Sequence, residues 1–230
     1  MDNLVDSFHL QALLLTLKLA LLTVVFLFAI GLPLAWYLSR YQGMFKAFFE
    51  ALITLPLVLP PTVLGFYLLI AFSPDTWLGQ TWLSLNGTQF VFSFAGILFG
   101  SIIYSMPFVV QPLLQAFHAK GQETMNSAQT LGLSKFDAFT RVLLPAIKPN
   151  LISAATLGFA HTLGEFGLIL MIGGNIPGET QVVSIALFNE VESLNYESAH
   201  SLAAMLLIFS LVSLTLLYRF NQQAKRSFGI

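Results

Sequence analysis

Residues 118–150 read HAKGQETMNSAQTLGLSKFDAFTRVLLPAIKPN, a largely polar stretch in a chain that is otherwise apolar. Long hydrophobic runs stand on both sides of it. A polar segment of this length between two membrane helices predicts a surface that another protein contacts. The spacing of its Gly and Leu-Pro residues is the feature that separates this chain from an arbitrary membrane protein.

The composition indicates that the rest of the chain lies in a membrane. Hydrophobic residues make up 56% of the 230 positions and charged residues only 9%, whereas a typical globular domain has about 25% charged residues. A soluble core cannot bury so much apolar surface, so we predict an all-α integral membrane protein. The net charge of −1 gives no reason to expect nucleic acid, and the absence of cysteine excludes disulfides and thiolate chemistry.

Five apolar segments are long enough to cross a bilayer, which requires about 20 residues per helix. They cover approximately residues 10–38, 47–72, 91–117, 151–173 and 199–220. These are spans 1 to 5. The sequence shows no internal repeat, linker or soluble domain, so residues 1–230 are expected to form a single transmembrane domain.

Positive charges orient the five spans. Of the 10 Lys and Arg residues, all except Lys18 lie between spans 1 and 2, between spans 3 and 4, or at the end of span 5 and beyond it. The loops at about 73–90 and 174–198 contain no Lys or Arg and are acidic. Because cytoplasmic loops are enriched in Lys and Arg, we predict that the N-terminus lies outside and the C-terminus in the cytoplasm.

The polar segment itself predicts two short helices. The first covers about Gln122–Leu131 and ends at Gly132, a residue type common after helix C-termini. The second covers about Lys135–Leu143 and follows Ser134, an N-cap residue type with an acidic residue three positions later. Pro145 is expected to limit the continuation of this helix.

The spacing within this segment resembles the cytoplasmic loop of bacterial ABC importer permeases. The family pattern is Glu-Ala-Ala, three residues, Gly, nine residues and Ile-x-Leu-Pro, and every spacing agrees here. The corresponding positions are Asn126, Ser127, Ala128, Gly132, Val142, Leu144 and Pro145. Four of them match the family residue, while Asn126, Ser127 and Val142 stand where the family has Glu, the first Ala and Ile. In that family the loop docks in a groove of the ATP-hydrolysing subunit, so the resemblance implies two ATP-binding partner subunits that use ATP with Mg, and no cofactor bound by this chain.

Two further stretches narrow the resemblance. Residues 55–65 read LPLVLPPTVLG, and LGEFG at 163–167 is followed by GNIPGET at 174–180. Together they are similar to the permeases for tetrahedral oxyanions, and look most like the molybdate permease subunit. This implies a bacterial inner-membrane homodimer that imports molybdate or tungstate, with sulfate as the alternative, and an extracytoplasmic oxyanion-binding protein. The acidic outer loops would suit a basic patch on that protein, although a solvated loop explains them equally well.

Candidate pathway residues lie in spans 2 and 4. Pro56, Pro60 and Pro61 remove backbone donors and predict a kink or break at membrane depth, which is tolerated only where backbone is buried in protein or lines a cavity. His161 and Glu165 lie four residues apart, so one helix would place them on one face. Ionisable residues inside a membrane usually face the bundle interior or water. A kinked structural helix and a structural polar pair are the alternatives.

Two other function classes explain less of the sequence. A proton-coupled anion carrier with His161 and Glu165 as its relay would need no ATPase, but it leaves residues 118–150 unexplained. An intramembrane enzyme would need a nucleophile with a base, or a cluster of metal ligands, beside that pair. The sequence has no phosphate-binding loop pattern, so we expect a transport subunit that is not itself an enzyme.

Overall fold

A computed structural model describes the backbone of residues 2–227 and the side chains of residues 9–219. The regular structure in this part of the chain is helical. The α-helices are α1 (Asp2–Arg40), α2 (Lys46–Thr54), α3 (Pro61–Ala71), α4 (Trp77–Asn86), α5 (Phe94–Thr130), α6 (Lys135–Asp137), α7 (Leu144–Ala146), α8 (Lys148–Leu163), α9 (Gly167–Gly173), α10 (Val183–Glu192) and α11 (Tyr196–Ser227). A 3-10 turn covers Leu55–Leu57, and a π-helical segment, Ala138–Leu143, joins α6 to α7.

Three of these helices, α1, α5 and α11, are long and apolar enough to cross a membrane alone. Among the described residues the number rises to five if two bent helix pairs each form one span. One pair is α2 with α3, which meet at 107°, and the other is the segment 135–146 with α8, which meet at 70°. The predicted all-helical membrane architecture is confirmed, with three to five candidate spans.

The second predicted span is broken, as its prolines indicated. Helix α2 ends at Thr54, the 3-10 turn follows, and α3 begins at Pro61. Pro60 has φ −55° and ψ 138°, the extended conformation that a residue before proline favours. Pro61 then occupies the start of a helix, where its missing N–H group leaves no hydrogen bond unmade. The proline run therefore turns the chain between two half-helices.

The fourth predicted span is also broken, and the prediction of one continuous helix over 151–173 was wrong. Helix α8 ends at Leu163 and α9 begins only at Gly167. Phe166, with φ −131° and ψ −63°, lies outside the helical region. Glu165 therefore lies in a break between two helices and does not share a continuous helix face with His161. The four-residue spacing alone could not reveal this change in backbone direction.

The core of the bundle forms around α5, which packs against α1, α8 and α9. Its apolar residues Val109, Val110 and Leu113 are completely buried. Close approach of α8 requires a glycine, because a Cβ atom at Gly158 would lie 2.7 Å from Val109 Cγ2. Helix α11 lies at the edge of the bundle, where it packs against α8 and α10.

Both predicted outer loops contain a helix that the sequence analysis missed. Helix α4 lies within 73–90 and begins after Thr76, whose Oγ1 accepts a hydrogen bond from the Gly79 N–H at 3.2 Å. Helix α10 lies within 174–198 and packs against α1 and α11. The Val183 N–H donates to Thr16 Oγ1 of α1 at 2.9 Å. Both helices are shorter than the about 20 apolar residues that a membrane span requires, so the length of apolar runs did not predict them.

Candidate functional site

The polar segment, residues 118–150, does not begin with a separate short helix. The predicted helix at about 122–131 is the continuation of α5, which runs unbroken to Thr130. Met125 and Ala128 lie buried in the same apolar cluster as the membrane half of α5. Since the buried face continues past the end of the apolar run, the helix extends beyond the expected membrane boundary near residue 117.

Gly132 ends this helix, as predicted. Its φ of +86° is in the left-handed region, which glycine adopts at little cost. The Gly132 N–H donates to the Gln129 carbonyl at 2.9 Å, and the Leu133 N–H donates to the Ala128 carbonyl at 3.2 Å. This pair of bonds is the Schellman motif of helix C-termini, so the chain turns sharply at Gly132.

Ser134 then caps the next helix, also as predicted. Its Oγ accepts a hydrogen bond from the Asp137 N–H at 3.1 Å and donates to Asp137 Oδ2 at 2.6 Å. Pro145 does not stop this helix, contrary to expectation, because helical backbone continues through the π-helical segment to Ala146. The helical backbone ends one residue after Pro145, at Ala146.

The seven motif positions of the polar segment differ in burial. Asn126, Ser127 and Gly132 are exposed, Ala128 is buried, and Val142, Leu144 and Pro145 are half-buried. Two large apolar side chains stand exposed beside the Gly132 turn, Leu131 at 84% and Phe136 at 75%. A cleft of about 520 Å³ is lined by Leu131 together with other polar and apolar residues of α5, the connecting turn and the segment that ends in α7. Exposed apolar side chains within a polar surface are typical of protein–protein contacts.

Trp36 fixes the polar segment to the membrane helices. Its ring centroid lies 5.1 Å from that of Phe117 on α5 and 5.1 Å from that of Phe139 on the π-helical segment. The Arg40 guanidinium lies over the same indole at 4.4 Å. The polar segment therefore packs directly against α1 and α5 through these rings.

A second candidate site lies where spans 2 and 4 break. A cleft of about 560 Å³, the break cleft, brings together three of the predicted pathway residues, Pro61, His161 and Glu165. Pro56 instead lines a separate apolar cleft of about 370 Å³ with residues of α1, α2 and α5. Pro60 lines neither of these two clefts and is exposed.

The imidazole of His161 is held by residues of α5 that the sequence analysis missed. Ser105 Oγ lies 2.9 Å from His161 Nδ1 and 3.2 Å from Thr162 Oγ1. The Phe108 ring stacks on the imidazole at 3.9 Å. Thr162 donates its only hydroxyl hydrogen to the Gly158 carbonyl at 2.9 Å, so Ser105 must donate to Thr162 and accept from His161. This order assigns a hydrogen to Nδ1 of His161.

The carboxyl group of Glu165 is enclosed but incompletely bonded. Its side chain is 1% exposed, and Oε2 lies 4.0 Å from His161 Nδ1, beyond hydrogen-bond distance. Oε2 has no hydrogen-bond partner among the described residues, while the Leu168 N–H of α9 bonds to the carboxyl group. Ser184 of α10 donates to the Glu165 carbonyl at 2.6 Å. Glu165 therefore holds the break between α8 and α9 in place.

Glycines allow the two broken spans to interlock beside this cleft. A Cβ atom at Gly65 of α3 would lie 2.7 Å from Met171 Cβ and 3.1 Å from the Leu168 carbonyl oxygen. A Cβ atom at Gly167 of α9 would lie 3.1 Å from Thr62 Cγ2. Helices α3 and α9 therefore touch almost backbone to backbone beside the break cleft.

Comparison with known proteins identifies the family. Residues 28–226 match the binding-protein-dependent transport system inner membrane component family. The chain belongs to this family. It is 48% identical over 209 residues to the molybdenum transport system permease protein ModB of Azotobacter vinelandii, which covers 91% of this chain and 92% of that protein. It is 34% identical over 219 residues to a probable sulfate transport system permease protein, cysT, of Chlorella vulgaris, which covers 94% of this chain and 81% of that protein.

Solved permeases share the fold at low sequence identity. A bacterial ABC transporter involved in alginate import superposes with a TM-score of 0.76 at 20% identity, over 93% of this chain and 79% of that chain. The bacterial alginate ABC transporter in complex with its substrate-bound periplasmic protein gives a TM-score of 0.71 at 21% identity, over 95% and 78%. This permease is thus a multi-pass inner-membrane subunit of an ABC importer, and family membership leaves the carrier and enzyme alternatives without support.

Proposed function

We propose that this chain is the permease subunit of an ATP-driven molybdate importer, with tungstate as the alternative oxyanion. The observation that carries the choice is the 48% identity to a molybdenum permease over nine-tenths of both chains. The sulfate permease is less similar, at 34%, and extends further beyond the matched region. Sulfate is therefore the second candidate substrate.

Two copies of the chain form the translocation pathway. The break cleft supports this arrangement because it opens at the surface of a single copy rather than being enclosed within it. It is lined by the irregular backbone of both broken spans, which a membrane tolerates only against protein or water. A second copy facing this cleft would enclose a pathway that one thin bundle cannot.

Within this pathway, Thr62 and His161 are the groups that contact the oxyanion, and both line the break cleft. Thr62 offers its hydroxyl group, and His161 offers Nε2 when the imidazole is protonated, because its Nδ1 hydrogen is already donated to Ser105. The carboxyl group of Glu165 is a poor ligand for an anion, since two like charges repel. Its role is to hold the α8–α9 break so that His161 is correctly placed.

Energy reaches the pathway through the polar segment. Two separate ATP-binding subunits, which bind ATP with Mg, dock on the polar segment, residues of about 118–150, with Leu131 and Phe136 as apolar contacts. ATP binding draws the two polar segments together, and the ring packing around Trp36 passes this movement to α1 and α5. The two bundles then turn from inward-open to outward-open, and an extracytoplasmic binding protein releases its oxyanion into the cavity.

The orientation that this mechanism needs is the one predicted from charge. Lys120, Lys135 and Arg141 lie in the polar segment, consistent with a cytoplasmic location. Helix α10 and its flanking loops carry acidic residues and no Lys or Arg. The N-terminus and α10 are therefore placed outside, and the C-terminus in the cytoplasm.

Uptake of radiolabelled molybdate by cells lacking this chain tests the proposal. We expect uptake to be lost, to return with the wild-type chain, and to be inhibited by excess tungstate but not by excess sulfate. Loss of sulfate uptake with unchanged molybdate uptake would show that the substrate is wrong.

A Leu131→Glu variant serves as the matched test of docking, because it should reach the membrane normally yet fail to restore uptake.

A further inference from the structure

Helix α10 ends in a backbone conformation that glycine usually adopts, but the residue there is leucine. Leu194 has a φ of +58°. Its N–H donates to the Val191 carbonyl at 3.1 Å, and the Asn195 N–H donates to the Glu190 carbonyl at 2.9 Å. This is the same Schellman motif that Gly132 completes in α5. In the left-handed region the Cβ atom of an L-residue crowds the following carbonyl, so leucine is a costly choice at this position.

No packing among residues 9–219 explains this leucine. The Leu194 side chain is 71% exposed and belongs to none of the apolar clusters of residues 9–219. Phe92, with a φ of +59°, is also exposed, at 44%, but its ring has a close neighbour, because a Cβ atom at Gly174 would lie 3.1 Å from it. The Phe92 N–H also donates to the Ile172 carbonyl at 2.8 Å. Strain retained at an exposed apolar residue points to a contact outside the chain.

The neighbours of Leu194 define the surface that makes this contact. Val191 and Tyr196, close to Leu194 in the chain, are also exposed, at 43% and 64%, and we name these three residues the outer patch. The acidic residues close to them in the sequence are Glu190, Glu192 and Glu197. Residues 174–198 contain no Lys or Arg. An apolar centre with a charged rim is the usual anatomy of a protein interface, and this rim selects a basic partner.

We propose that the outer patch is a docking contact for the extracytoplasmic binding protein, which inserts Leu194 into an apolar pocket with a basic rim. This inference rests on the function and orientation proposed above. An anionic lipid surface would be repelled by the three carboxylates, and pairing of the patch with itself in a second copy would bring two acidic rims together. A binding protein with an apolar pocket and a basic rim would bury the apolar side chains and pair with the three carboxylates.

A Leu194→Gly variant separates docking from folding, because it removes the side chain and relieves the backbone at once. The assay measures the ATPase activity of the complete reconstituted transporter while the molybdate-loaded binding protein of the same organism is titrated. We expect the half-saturating concentration of binding protein to rise about ten-fold, the effect of losing one hot-spot side chain. The melting temperature should stay the same or rise. A leucine with a purely structural role would lower the melting temperature and leave half-saturation unchanged.

Two further variants sharpen the test. Leu194→Met keeps an apolar side chain of similar size and should remain within about two-fold of the wild-type half-saturation, a change well below that of a lost hot spot. The double variant Glu192→Gln, Glu197→Gln should raise the half-saturating concentration and weaken its dependence on salt, because exposed charges act through a screened field.

The failure of this contact and the failure of the proposed function give different results. A wild-type transporter that no oxyanion-loaded binding protein stimulates would overturn the proposed function. A stimulated wild type with an unchanged Leu194→Gly variant would overturn only the contact. Dissociation of the Leu194→Gly permease into single copies would assign the patch to a contact between copies. An effect confined to anionic liposomes and lost in detergent would assign it to lipid, and both results contradict the proposal.

Discussion

Replacing Gly65 with Ala tests whether the two broken spans are packed as tightly as the structure shows. The added methyl group would lie 2.7 Å from Met171 Cβ, 3.1 Å from the Leu168 carbonyl oxygen and 3.2 Å from Leu168 Cα. Carbon atoms in ordinary contact are about 3.5–4.0 Å apart. Helices α3 and α9 would therefore have to separate by roughly 0.8 Å at this point.

The free energy of this change follows from two opposing effects. Overpacking of a core costs about 1–3 kcal/mol, and the upper value applies because the crowded atoms are backbone atoms and a Cβ, which no rotamer change can move. Ala gains about 1 kcal/mol over Gly in a helix interior. The net destabilisation is then about 2 kcal/mol, or a fall in melting temperature of about 4–8 °C for a chain of this length.

Gly164→Ala is the matched control for this prediction. Gly164 also borders the break cleft, but a Cβ atom there would meet nothing within 4 Å, and its φ of −90° suits alanine. This variant should keep or slightly raise the melting temperature, because Ala restricts the unfolded chain by about 0.4–1 kcal/mol. Thermal unfolding of the two purified variants measures the difference. Equal melting temperatures for Gly65→Ala and Gly164→Ala would refute the backbone contact between α3 and α9.

Three other changes have defined outcomes. Leu131→Glu should reduce co-purification of the ATP-binding subunits without lowering the melting temperature of the permease, since this side chain is 84% exposed; equal recovery of those subunits would contradict its docking role. Ser134→Ala should remove the cap of the second helix in the polar segment, cost about 1 kcal/mol and speed hydrogen exchange of the Asp137 amide, whereas unchanged exchange would show that the cap is dispensable. His161→Ala should lower molybdate uptake while the ATP-binding subunits still co-purify, and wild-type uptake would remove His161 from the pathway.

Local signals in the polar segment were predictable because each depends on a few adjacent residues. Gly132 is needed where the backbone turns left-handed, and Ser134 supplies the oxygen that caps the next helix. The break near Pro60 follows in the same way from the chemistry of proline, which lacks a backbone donor. In each case the conformation is decided within about one helical turn.

Other features were missed because they depend on residues far apart in the chain. Ser105 and His161 are separated by 56 positions, and no spacing rule brings them together. The break at Glu165 is held by a hydrogen bond from Ser184 of α10, a helix that the sequence analysis had treated as a loop. Helix α5 continued through Thr130 because buried contacts of Met125 and Ala128 extended its apolar face.

By itself the sequence determined the helical membrane class, the polar segment with its caps, and the proline break, because hydropathy and backbone chemistry act locally. Only the tertiary structure decided that Glu165 leaves the helix, that Gly65 brings α3 onto α9, and that Leu194 stays exposed in a glycine conformation. Those properties belong to surfaces that meet only after the helices have packed. The sequence shows which residues are apolar, whereas the folded structure determines which residues each of them contacts.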